Sequence, residues 1–316
     1  MLSTIEFIEV MIPLYLMILI GYIGRKRQIL SEHTNEVLTQ LLLSITLPSL
    51  IVYSLNTNLS LHLLSDLLWL ISMSIFQMSF SIFIAHRASK YANLTSDKTA
   101  VYKSLIIFGN QGFMGVAISF ILAGPQGIIY VTFFNLVYII MIWTYGLSLF
   151  RKGKGWSQWK YLLLNPGIIA SSIGLVILFS PIQLPSSFVN LLESVGKMTI
   201  PLSMILIGSM LANLSFKTML HLIKNRYVWY ANFIKLIIIP CLLLFFKFVK
   251  VPFLLLTVAV LTAAMPSAST TTVYAQKFHA DTSFSSFSVF ISNFLCLITI
   301  PLIYSVLQWI NILFDK

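Results

Sequence analysis

Long apolar segments alternate with short basic loops along this chain, and no other feature limits its fold as strongly. Each segment has about 20 residues, the length at which a helix crosses the hydrocarbon core of a bilayer. Only 9% of the residues are charged, whereas a soluble domain has roughly a quarter. The sequence therefore predicts an all-α polytopic membrane protein with ten transmembrane helices. The ten segments are 6–24, 35–55, 64–86, 100–123, 126–150, 162–180, 187–212, 227–249, 253–276 and 284–312.

The basic residues of the loops predict how the chain is oriented. Of the 20 Lys and Arg residues, 15 lie in one alternate set of loops and three in the other, while Lys197 and Lys235 lie within segments. Cytoplasmic loops are enriched in Lys and Arg, so we expect the larger set, including "RKGKGWSQWK", in the cytoplasm. Both termini are then extracytoplasmic, and the protein is a multi-pass protein of the cell (plasma) membrane. Because topology explains the net charge of +11, no nucleic-acid partner is expected.

Helix-breaking sequences recur at matching places in the two halves of the chain. Pro48 in "SITLPSLI" and Pro201 in "KMTIPLSMI" lie in the second and seventh segments, and we expect them to be hinge positions. The fourth and ninth segments are interrupted by "GNQGFMG" and "AAMPSASTTT". The halves 1–155 and 156–316 thus have five segments each, and the odd number inserts the second half with the opposite orientation. The sequence predicts two inverted five-helix repeats, a pattern typical of secondary transporters.

The two interruptions predict a substrate site near the middle of the membrane. Pro266 removes a backbone donor from the ninth segment, and Gly112 and Gly115 loosen the fourth. Unwound backbone at this depth is tolerated where it is buried in protein or lines a cavity. Half-helix N-termini there suit a carboxylate. We therefore expect helices four and nine to be broken and to cross, with the bound substrate at the crossover.

Polar side chains at and near the interruptions are the candidate ligands. The hydroxyls of the ninth segment are either ligand groups or partners of the carbonyl four residues back in a kinked helix. The amides of the fifth and tenth segments either reach the crossover or bond neighbouring helices. The predicted substrate-binding residues are Asn110, Gln111, Gly112, Gly115, Asn135, Lys235, Pro266, Ser267, Ser269, Thr270, Thr271 and Asn293.

Three charged side chains within the segments have two interpretations each. Lys235 is either a counter-charge for an anionic substrate or a side chain that snorkels to the inner face. Lys197 lies four residues after Glu193, which favours a local ion pair over a ligand role. Asp66, near the outer start of the third segment, is expected to be a solvated helix end rather than a proton carrier.

Seven stretches spread over the chain carry a resemblance to a known family. They are "LTQLLLSITLPSLIVYSL", "FGNQGFMGVAIS", "LNPGIIASSIGLVI", "TIPLSMILIGSML", "KLIIIP", "AAMPSASTTTVYAQKFHAD" and "SNFLCLITIPL". In this order and spacing the chain resembles the auxin efflux carrier family, which includes plant PIN proteins and bacterial malate-permease-like carriers. Asn110 matches the asparagine of that family in helix four. Ala117 stands where similar bacterial sequences often carry proline, so the first interruption depends on Gly112 and Gly115.

The resemblance implies a crossed-helix fold like that of bacterial sodium/proton antiporters and bile-acid symporters. Helices one, two, six and seven are then a scaffold, and helices three to five and eight to ten are a moving transport domain. It also implies an elevator-type mechanism for organic anions, carboxylates such as malate or auxin-like acids. A homodimer through the scaffold helices is a further expectation.

The leading hypothesis is a secondary active or facilitative transporter of small organic anions. The alternative is a sodium-coupled symporter or a cation/proton antiporter of the same fold. Antiporters normally place acidic residues at the crossing, and neither interruption contains one, although carbonyls and hydroxyls are able to hold sodium. No catalytic group or metal-ligand motif is evident, so we expect neither an enzyme nor a cofactor, apart from sodium or proton coupling.

Overall fold

The computed structural model describes residues 3–56, 61–150, 164–180, 184–212 and 222–314 of the chain. Within these ranges the regular structure is helical, and extended pairing is limited to a bridge between two single residues. The helices are α1 Thr4–Lys26, α2 Glu32–Leu55, α3 Leu61–Ala92, α4 Ser96–Ile107, α5 Gln111–Phe150, α6 Pro166–Phe179, α7 Ser186–Leu211, α8 Arg226–Lys247, α9 Phe253–Ala263, α10 Thr270–Lys277 and α11 Thr282–Phe314.

Many of these helices are built to face lipid. Among the described residues, seven helices are long and apolar enough to cross a membrane: α1, α2, α3, α5, α7, α8 and α11. Helices α6 and α9 are apolar but shorter. Large apolar side chains such as Ile20, Leu68 and Ile298 are more than half exposed, which suits lipid rather than water. The chain is therefore a multi-pass helical membrane protein, while its arrangement as ten helices in two inverted repeats stays a prediction.

Helix α5 is a hairpin of two antiparallel arms. Ala123 and Gly124 depart from helical geometry, and Gly124 has a φ of 56°, a left-handed conformation that favours glycine. A Cβ on Gly127 would overlap the carbonyl oxygen of Ser119, although residues eight apart in a straight helix are about 12 Å apart. The chain therefore reverses here, between a first arm, 111–122, and a return arm, 125–150. The turn coincides with the expected boundary between the fourth and fifth segments.

Two of the long helices widen into π turns just before a proline. The π turn of α2 is Leu42–Thr46, which precedes Pro48, and that of α8 is Ile234–Ile238, which precedes Pro240. Proline has no N–H to donate to the carbonyl one turn back. The helix accommodates each proline by shifting locally to bonds between residues five apart. In α8 this irregular turn contains Lys235.

Helices α1 and α7 pack so closely that their backbones touch. A Cβ on Gly21 of α1 would overlap the carbonyl oxygen of Ile205, and a Cβ on Gly208 of α7 would overlap that of Ile18. Small residues at such contacts let membrane helices approach each other and gain van der Waals packing. The α-helical structure of α7 is interrupted at Met198, shortly before the predicted hinge Pro201.

Helix α2 packs against α6 and α7 in the same manner. Gly174 of α6 lies against the side chain of Leu55, and Gly196 of α7 lies against the backbone of Leu50. Helices α1, α2, α6 and α7 thus form a set joined by glycine contacts, and these are the four helices expected to be a scaffold. The division into scaffold and transport domain remains a prediction.

Candidate functional site

The interruptions of the fourth and ninth segments lie side by side. The first break, 108–110, separates α4 from α5, and the second break, 264–269, separates α9 from α10. Gly109 and Ser267 form an antiparallel bridge, in which the Asn110 N–H donates to Pro266 O (2.6 Å) and the Ala268 N–H donates to Phe108 O (3.0 Å). These bonds pair backbone groups that would be costly to leave unpaired at membrane depth. We call the paired residues 108–110 and 266–268 the crossing.

Ser267 of the second break and Thr271 of α10 form hydrogen bonds with neighbouring helices. Ser267 Oγ donates to Leu105 O of α4 (2.9 Å), and the Ser267 N–H donates to Ser292 Oγ of α11 (2.9 Å). Thr271 Oγ1 and Ser104 Oγ share a hydrogen bond of 2.9 Å. Ser267 and Thr271 therefore bond between helices that are distant in sequence. The local i−4 bond is thus not the one that they form, while their role as ligands stays a prediction.

Next to the crossing, Gly112 of α5 and residues 269 and 270 at the start of α10 are less tightly packed. A Cβ on Gly112 would meet no atom within 4 Å, whereas one on Gly115 would lie 3.2 Å from Thr262 Cγ2. Ser269 is half-buried and Thr270 is exposed. The first N–H groups of α5 have no acceptor within that helix, whereas the Thr271 and Thr272 N–H groups of α10 donate to Ala268 O (3.1 Å) and Ser269 O (3.0 Å). Unfilled space thus adjoins donors at the start of α5.

Asn110 and Gln111 begin α5 with side chains that are not used by the helix itself. Asn110 is half-buried and makes no side-chain cap bond, while its carbonyl accepts from the Met114 N–H (3.2 Å). Gln111 is fully buried, and neither its Oε1 nor its Nε2 has a hydrogen-bond partner among the described residues. Both residues are therefore placed to offer amide groups to a ligand.

The return arm of α5 supports the first break. Asn135 Nδ2 donates to Gln111 O (3.2 Å), and the Tyr138 hydroxyl donates to Gly109 O (2.7 Å). Tyr138 was not among the predicted residues, although its place one turn after Asn135 on the same helix face was a usable signal. Asn135 thus bonds the residue that directly follows the first break, next to the crossing.

Asn293 of α11 differs from its expected counterpart Asn135. Its Nδ2 donates to Val289 O within α11 (2.8 Å), and its buried Oδ1 has no partner among the described residues. The neighbouring Ser292, which the sequence analysis did not select, bonds the second break instead. A shift of one residue along a helix turns the side chain by about 100°, which the sequence pattern did not resolve.

Lys235 lies at the crossing and does not snorkel. It is fully buried, and its Nζ would lie only 2.8 Å from a Cβ on Gly109. Met265 O lies 3.1 Å from that same point. The ammonium has no hydrogen-bond partner among the described residues. The π turn of α8, which packs against α4 and α11, thus delivers an unpaired cationic group to the broken backbone.

The other two charged side chains have partners elsewhere. Lys197 Nζ lies 2.6 Å from Glu193 Oε1 in a partly exposed ion pair, as its spacing predicted. The expectation of a solvated Asp66 is wrong: this residue is 4% exposed and accepts a hydrogen bond of 2.9 Å from the Tyr130 hydroxyl. The reason is the hairpin of α5, which folds the return arm against α3 and covers the carboxylate.

Metal-ligand clusters are absent from the part of the chain that the structure describes. No group of three or more His, Cys, Asp or Glu side chains there is close enough to hold a metal ion. The polar groups at the crossing are instead amides, hydroxyls, backbone donors and one ammonium. Such a set is chemically suited to bind an anion with hydrogen-bond acceptors.

Comparison with known proteins assigns the chain to a family. The profile of the membrane transport protein family matches residues 6–160 and 155–304. An uncharacterized transporter of Methanothermobacter thermautotrophicus is 26% identical over 298 residues, covering 93% of this chain and 96% of the relative. An uncharacterized transporter of Methanocaldococcus jannaschii is 24% identical over 304 residues, with the same shares covered. The chain therefore belongs to the membrane transport protein family, the auxin efflux carrier family that its motifs resemble.

Proposed function

We propose that this protein is a secondary transporter, active or facilitative, that binds a small organic anion such as a carboxylate at the crossing. The observation that carries the proposal is the ammonium of Lys235, which is fully buried beside Gly109 and unpaired among the described residues. The charged form of a buried amino group is strongly disfavoured unless an opposite charge accompanies it. A carboxylate supplies both the opposite charge and the hydrogen-bond acceptors that this ammonium lacks.

The chain has few acidic residues that could pair with Lys235. None of its nine Asp and Glu residues falls within 98–192 or 194–280, the stretches that contain both breaks and α8. Asp66 is buried, but its carboxylate accepts from Tyr130. An anion that enters from solution is therefore the partner we propose.

The starts of α5 and α10 provide the second part of the proposed site. An anion near a helix N-terminus gains about 0.3–1 kcal/mol when exposed and up to about 2 kcal/mol when partly buried. Asn110 and Gln111 add amide donors at the first of these ends. Two such ends give a modest affinity, which suits a carrier that has to release its cargo on the other side.

The packing of the helices supports an elevator movement as the route across the membrane. We propose that α1, α2, α6 and α7, joined by their glycine contacts, stay fixed and form the surface for a homodimer. Helices α3 to α5 and α8 to α11 hold the crossing and move together with the bound anion. Access to the site then alternates between the two sides of the membrane.

Calorimetry with an acid and its amide tests the role of Lys235. A thermal-shift screen of the purified protein against carboxylates first supplies the ligand. Lys235→Gln should then weaken binding of the carboxylate at least tenfold more than binding of its neutral amide. Lys197→Gln is the matched control, because its ammonium already pairs with Glu193, and it should affect both ligands alike. Equal losses for acid and amide in Lys235→Gln would exclude the ammonium from the site.

Transport assays test the role of the breaks. Pro266→Ala and Asn110→Ala should lose uptake into proteoliposomes while still giving a monodisperse peak in detergent. Normal transport by both variants would contradict a substrate site at the crossing.

A further inference from the structure

An apolar groove lies between α8 and α11, away from the crossing. Its walls are Ile237, Cys241 and Leu244 of α8 and Leu302 and Val306 of α11. Cys241, Leu302 and Val306 are exposed, so the groove opens on the outer surface of the helices. Apolar side chains exposed on this surface suit contact with lipid rather than with water. The groove is therefore open to the acyl chains of the membrane.

The depth of the groove coincides with an irregular stretch of α8. Residues up to Ile238 pack against α11, whereas Ile239–Leu243 come less close to it. The π turn of α8 precedes this stretch, and a 3-10 turn, Leu244–Lys247, follows it. Val260 of α9, which is fully buried, lines the bottom of the gap. The groove thus reaches through the outer layer of helices to the one behind it.

Two lysines lie where the groove ends. Lys247 Nζ donates to Asn311 Oδ1 of α11 (2.8 Å), so this side chain joins the two walls. Side chains three residues apart eclipse each other in a 3-10 helix, which places Lys247 directly after Leu244 along the groove. Lys250 is exposed, and its N–H donates to Lys247 O (3.1 Å) in the turn that follows. The apolar groove therefore has a cationic end.

An exposed tryptophan indicates the depth of this end in the membrane. Trp309 lies two residues before Asn311 on α11 and is 63% exposed. Tryptophan is enriched at the level of the lipid headgroups, and lysines near helix ends extend to the same level. The walls of the groove are then at the depth of the acyl chains, and Lys247 is at the depth of the phosphates.

We propose that this groove binds an anionic phospholipid, with one acyl chain between α8 and α11 and the phosphate beside Lys247 and Lys250. An acyl chain is apolar and narrow, whereas a helix of a partner protein, about 10–12 Å across, is too wide for a gap between helices that are joined at both ends. The two lysines complement the charge of an anionic headgroup. This site is separate from the crossing and does not depend on what the crossing binds.

Photo-crosslinking tests the proposal on the purified full-length protein. Phosphatidylglycerol with a diazirine in its acyl chain should label peptides that contain the groove residues of α8 and α11, and unlabelled phosphatidylglycerol should compete. The same probe with a phosphatidylcholine headgroup should label them about tenfold less. Replacing both lysines, Lys247→Gln with Lys250→Gln, should weaken labelling by phosphatidylglycerol about tenfold. The control, Lys224→Gln with Arg226→Gln, removes the same charge at the opposite end of α8 and should leave labelling unchanged.

A second pair of variants tests the groove itself. Leu302→Trp should fill the space between the helices and abolish labelling. Ile298→Trp is its control, because Ile298 is 63% exposed one turn earlier on α11 and does not line the groove.

Several results would contradict the lipid site. Equal labelling by the two headgroups would overturn the proposal, as would full labelling of Leu302→Trp. Competition by oleate that equals competition by phosphatidylglycerol would overturn the assignment to a phospholipid. If the double lysine variant is not monodisperse in detergent, Lys250→Gln replaces it, since Lys250 is exposed. That variant should weaken labelling about threefold, and unchanged labelling would again reject the site.

Discussion

The ammonium of Lys235 occupies the space that a side chain at Gly109 would need, since a Cβ there would lie 2.8 Å from Nζ. Gly109→Ala should therefore displace the flexible end of the lysine, with a shift of a few tenths of an ångström at Met265 O, 3.1 Å from the same Cβ. We expect carboxylate affinity to fall about tenfold, equivalent to about 1.4 kcal/mol, with a melting temperature close to that of the wild type. Gly112→Ala is the control for stability, because its Cβ would meet no atom within 4 Å. Unchanged carboxylate binding in Gly109→Ala would show that Lys235 does not take part in ligand binding.

The contact between α1 and α7 predicts a large effect of a single methyl group. A Cβ at Gly21 or at Gly208 would overlap a backbone oxygen, which no side-chain rearrangement relieves. Gly21→Ala and Gly208→Ala should each cost about 1–3 kcal/mol or more of stability, measured as a fall in melting temperature in detergent. The double variant should cost less than both together, since one substitution already forces the helices apart. Additive losses would show that the two contacts are independent.

Two neighbouring serines of the second break should behave differently. Ser267 bonds Leu105 O through its hydroxyl, whereas Ser269 is half-buried at the start of α10. Ser267→Ala should lower stability by about 1 kcal/mol and affect the acid and amide ligands equally. Ser269→Ala should leave the melting temperature unchanged and weaken only ligand binding. If Ser267→Ala is stable but selectively loses carboxylate binding, the Ser267 hydroxyl is a ligand of the anion.

The orientation of the chain is open to a labelling experiment. With 15 basic residues in one set of loops and three in the other, a cysteine at Gly153, outside the described residues, should face the cytoplasm. In a background without Cys241 and Cys296, a membrane-impermeant maleimide should label it only after the cells are opened. A cysteine at Ser3 is the control and should react from outside. Strong labelling of the Gly153 position in intact cells would invert the topology.

Local chemistry made the breaks predictable from sequence. Pro266 and the glycines near Asn110 weaken a helix wherever they occur, and hydrophobic length places them at membrane depth. The reversal at Gly124 was predictable for the same reason, because it ends one apolar segment and begins the next. These features depend on residues that are close in sequence.

Contacts between distant residues set the limits of that prediction. The partner of Ser267 is 162 residues away, at Leu105, and no spacing rule connects the two. Asp66 was misjudged for the same reason, since Tyr130, which covers it, lies 64 residues later. The direction of Lys235 depends on the π turn of α8, which changes which way each side chain points. In each case the sequence drew attention to the residue but did not indicate which residue it contacts.

The bridge between Gly109 and Ser267 also bears on whether either half of the chain can fold alone. The backbone groups of each break form hydrogen bonds with the backbone of the other break. Water is not available at this depth of the membrane to form those bonds instead. In a half-length chain with one break, those backbone groups would have no hydrogen-bond partners unless a second copy paired with it. Neither half is therefore expected to fold in a membrane without a counterpart that supplies the matching break.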